Sequence, residues 1–107
     1  MDAKEEKIKD HIKELAAQFL QRESNHLSLI TVTAASMSKD GKSTMIFFTV
    51  LPDTKERAAL DFAKRKRSEF REYVKANSRM QRIPFFDFAI DEGEKNRQRI
   101  DELSQNK

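Results

Sequence analysis

The 107-residue chain has no cysteine, no tryptophan, two glycines and two prolines. Without cysteine there is no disulfide framework, no thiolate metal site and no thiol nucleophile, and a reducing compartment suits such a chain. Gly41 and Gly93 stand too far apart to build a phosphate-cradling loop. The longest apolar stretch, Met45 to Leu51, falls far short of the roughly 20 residues a membrane-spanning helix needs. Met1-Asp2-Ala3-Lys4-Glu5-Glu6 carries acids where a signal or transit peptide has bases followed by an apolar run. These absences lead us to expect a soluble, cytoplasmic chain of one domain over 1–107, with a short tail at about 104–107, no membrane partner and no cofactor.

What is present is charge, unevenly spread. Lys and Arg total 21 against 18 Asp and Glu, a net +3. Residues 54–84 alone carry ten bases and four acids, while the segments before and after are neutral or mildly acidic. Eight phenylalanines and 37% hydrophobic residues, recurring at regular spacing, argue for a packed core and against disorder.

Ile8, Ile12, Leu15, Ala16, Phe19 and Leu20 form one stripe at helical period, so the chain opens with an amphipathic helix that Ser24 and Asn25 end. From Leu27 to Ser36, Ile30 and Val32 alternate with Thr31 and Thr33, as in a strand. The turn Ser38-Lys39-Asp40-Gly41-Lys42 and a second strand, Ser43 to Leu51, complete an antiparallel hairpin. Both parities of the second strand are apolar, so it is expected to lie centrally or to have both faces partly covered. Asp53 or Thr54 is expected to cap a helix over 55–79. The apolar stripe of that helix lapses at 64–68, where we expect a bend or break. Phe86, Phe88 and Ile90 form a third strand, and Lys95 to Leu103 a short last helix packed through Ile100 and Leu103. The order is helix, strand, strand, broken helix, strand, helix: an α+β layer with helices on one face of a three-stranded sheet.

Little here suits an enzyme. His11 and His26 have no ligand partners at metal-site spacing and read as surface or boundary residues. Asp87 and Asp91, four apart on a strand, share a face, but no nucleophile or metal site accompanies them, and they read as solvated polar positions opposite the core. The basic segment is the main signal. Lys64, Arg67, Arg71, Lys75, Arg79 and Arg82 step by three or four and would lie along one side of a helix, with Arg65 and Lys66 thickening the stripe. Evenly spaced cations on a rigid support suit a phosphate backbone, although the same residues also suit a solvated face. Lys39 and Lys42 flank an exposed turn and can reach the same partner. Met37, Phe47, Phe48, Phe85 and Phe86 offer stacking surfaces for unpaired bases, although strand aromatics in so small a domain are more often core and none of the five is singled out. Arg71→Glu and Arg82→Glu are expected to weaken such binding more than Lys4→Glu.

Several pieces, in order, carry a family resemblance. Leu20-Gln21-Arg22-Glu23, Thr31-Val32 with Met37-Ser38-Lys39-Asp40, Arg71, Met80-Gln81-Arg82-Ile83-Pro84, Phe88 with Asp91, and Arg99-Ile100-Asp101-Glu102-Leu103 together resemble the ribosome-binding factor A (RbfA) family over nearly the whole chain. The resemblance implies a type II KH-like fold and a non-catalytic protein. It implies a factor that binds the immature small (30S-type) ribosomal subunit and its 16S-type ribosomal RNA and assists late maturation. A monomer is expected. The family's Ala-x-Gly kink between two helices falls here on Lys66-Arg67-Ser68, which contains no glycine. The competing readings are a KH-like protein-interaction module, a general RNA-binding module of another ribonucleoprotein, and a small acylphosphatase-like enzyme, which would need the phosphate loop this chain lacks.

Overall fold

A computed structural model describes residues 3–24 and 28–105. Its elements are α1 (Ala3–Glu23), β1 (Leu29–Met37), β2 (Ser43–Leu51), a 3-10 turn (Asp53–Lys55), α2 (Glu56–Arg65), α3 (Arg67–Asn77), β3 (Phe85–Ile90) and α4 (Glu92–Gln105). The order is the one expected. His26 and residues 106–107 lie outside the described residues, as do the side chains of Ile100 and Leu103; α4 itself runs two residues into the segment read as a tail.

β2 is central, antiparallel to β1 and parallel to β3. Thr44, Ile46, Phe48 and Val50 point into the core. Register brings Ile30, Val32, Ala35 and Met37 of β1, and Phe86, Phe88 and Ile90 of β3, to that same face. A bulge between Val32 and Ala34 adds Thr33, which has no opposite number on β2. The hairpin turn is tied internally. Ser38 donates to Asp40 at 2.7 Å, the Lys42 N–H reaches the same carboxylate at 3.0 Å, and Gly41 takes the positive φ of 72° that the turn demands.

The helices cover one face through the apolar stripes read from sequence. Ile12, Leu15, Ala16, Phe19 and Leu20 of α1, Ala59 and Ala63 of α2, and Phe70 and Val74 of α3 are all buried. Five phenylalanines run through the layers in edge or tilted contacts. Phe70 meets Phe19 at 5.3 Å, Phe86 at 4.8 Å and Phe88 at 5.6 Å, and Phe88 meets Phe48 at 6.3 Å. Such pairs are each worth about 0.5–1.5 kcal/mol beyond the area they bury.

The expected break falls at Lys66. There φ −96° and ψ 9° end α2, while the Lys66 carbonyl already accepts from the Phe70 N–H of α3 at 2.8 Å. The expected cap is corrected. Asp53 and Thr54 belong to a 3-10 turn running into α2, and neither Pro52 before that turn nor Lys55 before α2 makes a side-chain capping bond. Glu56 in the first turn of α2 is held instead by Lys95 of α4 at 3.1 Å.

Candidate nucleic-acid interface

The helical stripe of six cations does not persist. α3 stops at Asn77, whose side-chain amide donates to the Tyr73 carbonyl at 2.8 Å, and Ser78 is extended at φ −143° and ψ 167°. Arg79 and Arg82 therefore sit in the 78–84 loop rather than on the helix. Periodicity among charged residues carries no packing requirement, so it continued past the helix that the apolar stripe defines.

The nominated cations differ in how far their charge is already committed. Asp87 lies on β3, one of the two edge strands, and points away from the core. Lys64 at 2.9 Å and Arg67 at 3.2 Å reach round that edge to its Oδ1. Burial raises the Asp87 pKa, but the Lys64 hydrogen bond, the Phe88 N–H and the charges of Lys64 and Arg67 more than offset it, and the net shift is downward. Lys66 lies between Glu69 at 3.2 Å and Glu23 at 3.8 Å. Arg71 is a structural clamp. Its Nε and Nη2 donate to the Pro84 and Ile83 carbonyls at 3.2 and 2.8 Å, and its guanidinium stands 4.9 Å from the Phe85 ring centroid. Lys39, Lys42, Arg65, Lys75, Arg79 and Arg82 are exposed.

The structure also gathers residues that spacing alone did not. A groove of about 730 Å3 lies between the start of α1, the hairpin turn and the 78–84 loop. Ile8, Met37, Met80 and Pro84 give it an apolar lining, and Arg79, Arg82, Lys4, Lys7 and His11 ring it, with no carboxylate among the described lining residues. Lys4, Lys7 and His11 follow one another at three and four residues beside Ile8, and that was the available signal. Lys4 and Arg82 thus share one site, so Lys4→Glu is no neutral reference for Arg82→Glu.

The reading of Asp87 and Asp91 as solvated strand positions is corrected: both carboxylates are bonded, and Asp91 lies just beyond β3. While Asp87 holds the β3 edge, Asp91 takes a 2.5 Å hydrogen bond from Thr33 at the bulge and caps α4 by accepting from the Glu94 N–H at 3.0 Å. Those two bonds, Thr33 foremost, lower its pKa. Among the described residues no group of three or more His, Cys, Asp or Glu is placed to hold a metal ion, and no helix is long and apolar enough to cross a membrane.

Residues 4–104 match the family model described as ribosome-binding factor A. A sequence search of curated proteins finds no match. Among solved structures, the chain resembles the crystal structure of ribosome-binding factor A from Thermus thermophilus, with 24% identity and a TM-score of 0.70, over 78% of this chain and 90% of that one. It also resembles a Thermus thermophilus RbfA homology model fitted into the cryo-EM map of a 30S–RbfA complex, at 27% identity and a TM-score of 0.66, over 76% and 88% of the two chains.

Proposed function

Because the chain belongs to the ribosome-binding factor A family, we propose that it is a non-catalytic assembly factor for the small ribosomal subunit. The observation that carries this reading is the family match over 4–104. The Thermus relative fitted into a 30S complex supports the choice of partner. The cationic groove and the exposed lysines and arginines around the hairpin turn and α3 support ribosomal RNA as the contacted component. Cations on phosphates position a protein without reading sequence, so selectivity rests on RNA shape. The protein acts in the cytoplasm as a monomer and assists late maturation by differential binding. It favours an RNA arrangement present in the immature particle and leaves when the mature arrangement forms.

A second reading has one specific observation behind it. Leu29 and Leu51, 61% and 51% exposed, pair across β1 and β2 on the sheet face opposite the core, as on a protein-interaction module. Sedimentation with purified immature and mature small subunits, at low and high salt, separates the two. The assembly-factor reading expects salt-sensitive binding that prefers the immature particle. Equal binding to both particles, unchanged at high salt, would sink it.

A further inference from the structure

Of the five side chains that sequence offered as stacking surfaces, the structure leaves one fully open. Phe48 is 0% exposed and Phe86 6%, Met37 and Phe47 are half-buried, and Phe85 is 69% exposed. A lone exposed apolar residue is ordinary; the surroundings of this one are not. The Phe85 N–H pairs with the Lys42 carbonyl at 2.9 Å, which fixes its backbone at the start of edge strand β3. The Arg71 guanidinium lies against the ring at 4.9 Å and is pinned there by the carbonyls of the two preceding residues. The two planar groups line a groove of about 690 Å3 together with Arg67, Lys75 and Glu72. An aromatic ring and a guanidinium held in place before a partner arrives offer a π surface at little ordering cost.

We propose that Phe85, backed by Arg71, is a stacking site for an unpaired RNA base, with the exposed ammonium of Lys75 taking the phosphate beside it. This deepens the reading of the surface as a ribosomal RNA interface and rests on it. A nucleotide fits better than an acidic peptide. The centre of the site is a flat ring backed by a flat cation, which suits the π face of a base better than the carboxylate side chains of a peptide.

The protein has no tryptophan, so F85W carries a single indole reporter at the site itself. Titration with single-stranded oligoadenylate is expected to quench its emission, whereas inorganic polyphosphate, which has charge but no bases, is expected to leave it nearly unchanged. Phe85→Leu is expected to lower oligoadenylate affinity by about five- to a hundredfold, the effect of losing one base–aromatic stack. Phe85→Tyr should keep the affinity, and polyphosphate should bind all three forms alike. Melting curves of each variant check the fold, which an exposed side chain should not disturb. If Leu binds oligoadenylate as well as Phe, or polyphosphate or polyglutamate quenches F85W as strongly, the stacking site is overturned. Loss of wild-type binding to immature subunits would overturn the interface reading itself, whereas subunit binding indifferent to Phe85→Leu would overturn the stacking site alone.

Discussion

At Thr44 the hydroxyl faces the core with its residue 2% exposed, and among the described residues its oxygen finds no hydrogen-bond partner. Its neighbours across the sheet are Met37 and Phe86, which offer it no acceptor stronger than a thioether. A hydroxyl buried without a partner costs about 1–3 kcal/mol, and valine keeps the branched shape and the strand preference. Thr44→Val is therefore expected to raise stability by about 1 kcal/mol, read as a higher urea midpoint at unchanged slope. A lower midpoint would mean that the hydroxyl is satisfied. Arg71 gives the opposite lesson. From sequence it was one cation among several. In the structure it holds the end of the 78–84 loop through two carbonyls, so Arg71→Glu would report loop displacement as well as lost charge.

Elements were legible from sequence wherever burial enforced a pattern. The hairpin followed from Asp40-Gly41 between alternating strands. The break at Lys66 followed from a stretch that offers no residue to the core, since 64–68 has nothing fully buried. No glycine stands at that break, where the family resemblance implied one. Lys66 turns the chain at negative φ, and Ser68 already lies inside α3. Ser68→Gly should therefore give no relief and instead cost about 0.5 kcal/mol, the ordinary helix penalty reduced near an end. A rise in melting temperature would show strain at the joint. What sequence did not disclose was tertiary: that Thr33 at a bulge would reach Asp91 far along the chain, or that Asp87 would draw in Lys64 and Arg67. The Asp91 contact has a pH signature. The folded state lowers this carboxyl's pKa, through Thr33 first and the Glu94 N–H second. Its stabilising effect is thus complete above the ordinary carboxylate pKa of about 4 and is lost as pH falls through the lower folded value. Thermal melts between pH 6 and 3 should show this acid loss in wild type and a smaller loss in Asp91→Asn, which should be less stable by about 1 kcal/mol at neutral pH, because an amide oxygen can still cap α4 but the amide nitrogen cannot accept from Thr33. Identical acid profiles would remove Asp91 from the account.

For the whole molecule, a count of basic residues overstates what RNA meets. Lys64 and Arg67 share one carboxylate and together present one net charge, and Lys66 is outweighed by Glu23 and Glu69. The charge left for phosphates lies around the hairpin turn, on Arg65 and Lys75, and around the groove that Arg79 and Arg82 line together with Lys7. If about five of these cations neutralise phosphates of a single strand, log K should fall with log salt at a slope of roughly −3.5. Arg82→Gln and Lys7→Gln, on one groove, should each flatten the slope by about 0.7. Lys66→Gln should change it least, because its ammonium already stands between two carboxylates and would have to leave them to meet a phosphate. Fluorescence anisotropy of a labelled single-stranded RNA over a salt series measures all three slopes. Equal flattening by Lys66→Gln and Arg82→Gln would mean that RNA responds to net charge rather than to the groove. Its geometry would then carry no part of binding, even though α1, the hairpin turn and the 78–84 loop build it together.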